Sequence, residues 1–173
     1  AQAQLPGASQ TAAENPPPTT ESTATTATAG EVVKLNAERT RTLVDHEKKV
    51  LTVAFSPDGK MIATAGADEK IDLWNPQTGK LINTFKGHSH EVNALAFSPD
   101  SRILASGADF RDPTVKLWDV ATGQVKQNIK INGRVYSLAF SPDGKTLAVV
   151  TRSKNIGLWD PMTGESKGEL EGH

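Results

Sequence analysis

The sequence predicts an all-β fold built from three four-stranded antiparallel units, and three observations carry that reading. A stretch of about forty residues occurs three times, aligning Val50 to Asn75, Val92 to Asp119 and Val135 to Asp160. Each copy contains AFSPD, ending at Asp58, Asp100 and Asp143, and each closes on LW, at Trp74, Trp118 and Trp159. The spacing is 42 and 43 residues between Phe55, Phe97 and Phe140, and 44 and 41 between the tryptophans. A period in the low forties made of short β segments is the signature of a propeller blade.

The elements follow in order within each copy. Val92, Leu95 and Phe97 are spaced as a buried first strand with one irregularity, and Val50 and Val135 open the corresponding strands. After Phe55, SPDG places Pro at the second and Gly at the fourth turn position, as a type I turn favours, so a hairpin follows. MIATAG, ILASG and TLAVV are second strands of small and apolar residues, and IDLW, VKLW and IGLW are third strands. PQTGK, VATGQ and PMTGE then turn into a fourth. An apolar residue stands three positions before a histidine at Leu43 and His46, Phe85 and His88, and Leu170 and His173. This divides residues 31–173 into repeats at about 46–87, 88–131 and 132–172, with 36–45 expected to be the outer strand of a neighbouring blade.

These residues resemble the WD-repeat β-propeller family. The resemblance rests on Gly87-His88 opening the second unit, Leu117-Trp118-Asp119 closing it and AFSPD in all three, and it covers residues from about 36 to 173. It implies that a blade is tied by a buried network of Trp, Ser or Thr, His and Asp. The second unit matches with His88, Ser106, Asp112 and Trp118, and the first with His46, Thr64, Asp68 and Trp74, although Asp45 stands where Gly is usual. The third departs: no His precedes Val135 at that place, Val149 replaces Ser or Thr, and Ser153 replaces Asp. Trp159 is left without its network, and apolar packing is expected to hold that blade. A buried indole N–H needs an acceptor, and a buried imidazole and carboxylate need each other. The histidines and aspartates therefore read as structural.

Composition narrows the function. The chain has 173 residues, a formal net charge of −1 and no Cys, which excludes disulfides and Cys zinc sites. From Glu31 onward 19 Lys and Arg stand against 18 Asp and Glu, so no nucleic-acid partner is indicated. No apolar run is long enough to span a membrane as a helix. His88-Ser89-His90-Glu91 has metal-ligand spacing but no second cluster to complete a site, and no metal or cofactor is expected. Asp58, Asp100 and Asp143 lie in the first hairpin turn, where Asp binds backbone N–H groups. No nucleophile is paired with a base, so the chain reads as non-catalytic.

Residues 1–30 contain 8 Ala, 7 Thr and 4 Pro and no Lys or Arg. Such a composition cannot bury enough surface to offset ordering, so the segment reads as a disordered tether, locally stiffened at Pro16-Pro17-Pro18. Ala1-Gln2-Ala3 has the small-x-small character of a signal-peptidase site, which gives an expectation of export to the periplasm or outside, with a cytoplasmic location as the alternative.

What remains is a binding platform. The family resemblance implies that ligands meet the face formed by strand starts and by the residue before the network Asp. On this chain those are Lys49, Leu51, Glu91, Asn93, Arg134, Tyr136, Ala67, Arg111 and Arg152. The second unit's loop is extended, from Ala108 to Pro113, and presents Phe110 beside Arg111, residue types enriched at binding hot spots. The expectation is a protein-interaction scaffold contacting proteins or peptides with acidic groups through Phe110, Arg111, Arg134, Tyr136 and Arg152, with Lys49, Glu91 and Asn93 beside them. Two other readings stay open: a regulatory or targeting propeller attached to a catalytic domain outside this chain, and a self-assembling envelope component. Three blades are too few to close a ring, so further blades or self-association are expected.

Overall fold

The computed structural model describes residues 42–171. The predicted tether at 1–30, residues 31–41, Gly172 and His173 lie outside the described residues. Twelve strands follow in chain order: β1 (Val50–Phe55), β2 (Ile62–Gly66), β3 (Lys70–Trp74), β4 (Leu81–Lys86), β5 (Val92–Phe97), β6 (Ile103–Ala108), β7 (Thr114–Asp119), β8 (Val125–Lys130), β9 (Val135–Phe140), β10 (Leu147–Thr151), β11 (Ile156–Trp159) and β12 (Ser166–Leu170). Among the described residues they form three four-stranded antiparallel meanders, β1–β4, β5–β8 and β9–β12, which are the blades, and these three sheets do not close into a ring.

Each first hairpin is fixed by its own turn. The Ser56 hydroxyl donates to Asp58 Oδ1 at 2.6 Å, and the Lys60 N–H donates to the same oxygen at 3.0 Å. Ser98 with Asp100, and Ser141 with Asp143, repeat the arrangement. Gly59 and Gly144 take the left-handed conformation that this turn needs, and Ser101 takes it in the second blade with φ of 61°.

The core lies between blades. One cluster joins Ala63, Ala65, Ile71, Leu73 and Phe85 of the first blade to Val92, Leu95 and Phe97 of β5. A second joins Ala105, Val115, Leu117 and Ile129 of the second blade to Val135 and Leu138 of β9. Thus a Val-x-x-Leu-x-Phe strand covers the blade before it. β1 has no blade before it among the described residues: Phe55 is 64% exposed where Phe97 is 8%, and Val50 and Val53 are exposed as well. The blades approach so closely that a β-carbon on Gly107 would collide with Val135.

The outer strand expected over 36–45 falls mostly on residues 36–41, outside the described residues; Thr42–Asp45 carry no strand and lead into His46 of the first blade.

Candidate protein-interaction site

The polar networks fix the loops that carry the site. In the second blade the Trp118 indole N–H donates to Ser106 Oγ at 2.7 Å, Ser106 Oγ lies 2.7 Å from His88 Nε2, and His88 Nδ1 lies 2.7 Å from Asp112 Oδ2. Burial lowers the pKa of His88 despite the neighbouring Asp112 carboxylate. Burial alone would raise Asp112, but hydrogen bonds from Thr114, the Ser89 N–H and His88 hold it below the usual aspartate range. Trp118 also stacks on Phe85 of the first blade, with centroids 5.5 Å apart.

The first blade repeats this with Trp74 N–H to Thr64 Oγ1 at 2.8 Å, Thr64 Oγ1 to His46 Nε2 at 2.8 Å and His46 Nδ1 to Asp68 Oδ2 at 2.9 Å. It adds a carboxylate that sequence reasoning missed. Asp72 is fully buried; its Oδ1 accepts from the Thr84 hydroxyl at 2.7 Å, and its Oδ2 has no hydrogen bond among the described residues. Burial raises its pKa. In the third blade the Trp159 N–H makes no hydrogen bond among the described residues, and Ser153 closes a local turn on Asn155, with its hydroxyl donating to the Asn155 carbonyl at 2.8 Å and accepting the Asn155 N–H at 3.0 Å. Val135, Leu138, Leu147 and Val149 pack there instead.

These networks hold a loop face running from the second blade to the third. Phe110 is 62% exposed on the β6–β7 loop, and the Arg111 guanidinium lies over its ring, 5.4 Å from the centroid. A cavity of about 200 Å3 opens beside them, lined by His90, Glu91, Asp109, Phe110 and Arg111. Next to it the Arg134 guanidinium donates to Asn93 Oδ1 at 2.6 Å, stands 3.7 Å from Asp109 Oδ2 and lies over the Tyr136 ring, 5.5 Å from its centroid. The structure therefore brings together Phe110, Arg111, Glu91, Asn93, Arg134 and Tyr136. Arg134 is held within the protein, whereas Arg111 has no carboxylate partner among the described residues. Glu91 contributes its carbonyl, which accepts the Asp109 N–H at 2.9 Å. Lys49 and Arg152 are exposed, and no hydrogen bond or ion pair links either side chain to this group among the described residues. The Lys49 carbonyl accepts the Ala67 N–H at 2.9 Å, a backbone role.

Asp109 was not singled out by sequence, and His90 entered there only through the metal-ligand spacing of His88-Ser89-His90-Glu91. Asp109 is buried and reaches across blades to Arg134, a pairing that no repeat spacing announces. His90 Nδ1 is buried without a hydrogen-bond partner among the described residues. No group of three metal-ligating side chains occurs among the described residues.

Comparison with known proteins agrees with the architecture. A family model described as the IFT122 first beta-propeller matches residues 25–173, and the chain belongs to the WD-repeat β-propeller family. The match begins within the segment read from composition as a tether. The chain is 34% identical over 122 residues to the "Periodic tryptophan protein 2 homolog" of Mus musculus, covering 69% of this chain and 13% of that protein. It is 33% identical over 112 residues to "Eukaryotic translation initiation factor 3 subunit I" of Pyricularia oryzae, covering 65% of this chain and 32% of that one. With the same subunit of Aspergillus fumigatus the identity is 30% over 131 residues, or 73% and 38% of the two chains. The chain thus spans between about an eighth and two fifths of the length of these relatives.

Proposed function

We propose that this propeller segment is a non-catalytic interaction scaffold that holds an acidic protein or peptide on the face around the β6–β7 loop. The observation that carries the reading is the Phe110–Arg111 pair: an exposed aromatic ring with an unpaired guanidinium laid over it. The ring offers apolar area at small entropy cost, and the guanidinium can pair bidentately with a carboxylate. Tyr136 extends the apolar surface, and Arg111 supplies charge. Arg134 serves differently, fixing Asn93 and Tyr136 in place through its own contacts. Among the relatives, one is named as a subunit of a translation initiation factor, so its name places it within an assembly. The same role is proposed here without a named partner.

The test is capture of partners from source cells by the wild-type chain and by the Phe110→Ala, Arg111→Ala double variant, with Lys80→Ala, just before β4, and Lys126→Ala, on β8, as controls. Loss of two hot-spot side chains is expected to weaken capture about thirtyfold or more without moving the melting curve. If the lysine variants lose capture and the loop variant does not, binding lies on the blade rim and the assignment of the face fails.

A further inference from the structure

The third blade breaks the plan of the second at four spatially adjacent positions. In the second blade Ser106 pairs across the strands with Lys116, Lys116 with Asn128, and His88 stands four residues before Val92. The corresponding residues of the third are Val149, Gly157, Glu169 and Ile131. A cavity of about 530 Å3 is present where they meet, between β8 of the second blade and the third. That volume lies in the small-molecule range.

Its lining is chemically specific. Ile131, Val149 and Trp159 give it apolar walls. The Trp159 indole nitrogen lies over Gly157, so that a β-carbon there would stand 2.9 Å from it. Trp74 and Trp118 donate to hydroxyls, while the Trp159 N–H has no acceptor among the described residues. Lys130 and Lys154 line the same cavity, and neither has an ion-pair partner among the described residues. The acidic group in the lining, Glu169, accepts from the Asn155 amide at 2.7 Å.

We propose that this cavity binds a small aromatic carboxylate. The ring packs on Ile131 and Val149, and the carboxylate accepts the Trp159 N–H within the field of two ammonium groups that outnumber the one carboxylate present. A neutral ligand leaves the lysines uncompensated, and a cation is repelled by them. This site is separate from the loop face, and its test does not depend on any protein partner.

The probes are benzoate, benzamide and benzamidine, three molecules of similar shape and different charge, titrated into the 15N-labelled chain. The three indole N–H resonances report separately, with Trp159→Phe assigning the third. Benzoate is expected to move the Trp159 resonance downfield and leave the other two, with benzamide weaker and benzamidine inert. Val149→Ser supplies the acceptor that the other blades have, and is expected to weaken benzoate binding about tenfold. Lys130→Ala with Lys154→Ala, both on exposed side chains, is expected to weaken benzoate and leave benzamide unchanged. The proposal is overturned if the Trp159 resonance does not respond to benzoate, if all three move alike, or if benzamidine matches benzoate. Insensitivity of benzoate binding to both variants overturns it as well.

Discussion

His46 Nε2 stands 3.4 Å from Asp72 Oδ2, a buried carboxylate oxygen with no hydrogen bond among the described residues. Burial raises the Asp72 pKa, the Thr84 hydroxyl and His46 counter this in part, and the Asp45 and Asp68 carboxylates add to it. Lys70 and Glu47, which pair with each other at 2.9 Å, are further charges beside this network, with Lys48 next to them.

A carboxyl with a raised folded pKa contributes stability that is complete below its unfolded pKa and is lost as pH rises through the folded one. Asp72→Asn removes that loss. Its melting temperature at pH 7 is expected to exceed the wild type by the equivalent of about 1 kcal/mol, with the gap closing toward about pH 4. A loss at pH 7 would show that His46 and Asp72 stabilise each other as an ion pair, and a gap that does not change with pH would show that the difference does not come from the charge of Asp72.

The second blade's network makes a different prediction. His88→Ala or Asp112→Ala strands a buried partner and should cost on the order of 1–3 kcal/mol in thermal melts, whereas Ser153→Ala, which touches only its own turn, should be nearly silent. His88, with its pKa lowered by burial, also sets an acid limb. Its contribution is complete above the unfolded value of about 6.5 and declines as pH falls below it, because the unfolded chain takes up the proton first. Equal losses at Asp112 and Ser153 would falsify this division of roles between the blades.

Gly107 tests how the blades meet. Adding one methyl group drives a β-carbon into the Val135 side chain, which is fully buried, so Gly107→Ala should cost about 1–3 kcal/mol by overpacking. Gly59→Ala meets no neighbouring atom and is penalised only through its φ of 69°, by on the order of 1 kcal/mol. Denaturant unfolding that ranks Gly59→Ala as the more damaging change would mean that the blades yield easily at this contact.

The exposed Val50, Val53 and Phe55 predict self-association of the segment expressed by itself. Light scattering should give a mass above the 18.4 kDa of one chain, and Val53→Glu with Phe55→Glu should reduce it. A cooperatively melting wild-type monomer would sink this expectation.

Much of this was readable beforehand, and the reasons are local. AFSPD, the LW pairs and the polar residues at fixed offsets recur because each blade solves the same turn and the same buried indole, so repetition exposes them. Asp72 does not recur: Lys116 and Gly157 hold its place, and a lone Asp in a strand reads as a solvent-facing residue. Arg134 reads as a free surface cation from its neighbours in sequence. Its partners Asp109 and Asn93 belong to another blade, and only the packing of β9 against β5 brings them within reach.

Because Val92, Leu95 and Phe97 seal the first blade, and Val135 and Leu138 the second, no blade is finished by its own residues. During synthesis, which delivers the N-terminal side first, the four strands of one blade leave the ribosome with an oily flank still bare. That flank is capped only when the opening strand of the next blade has emerged. Maturation therefore runs one blade behind translation, and a pause at the point where Lys86 or Lys130 has just cleared the ribosome would hold the nascent chain in its most adhesive state.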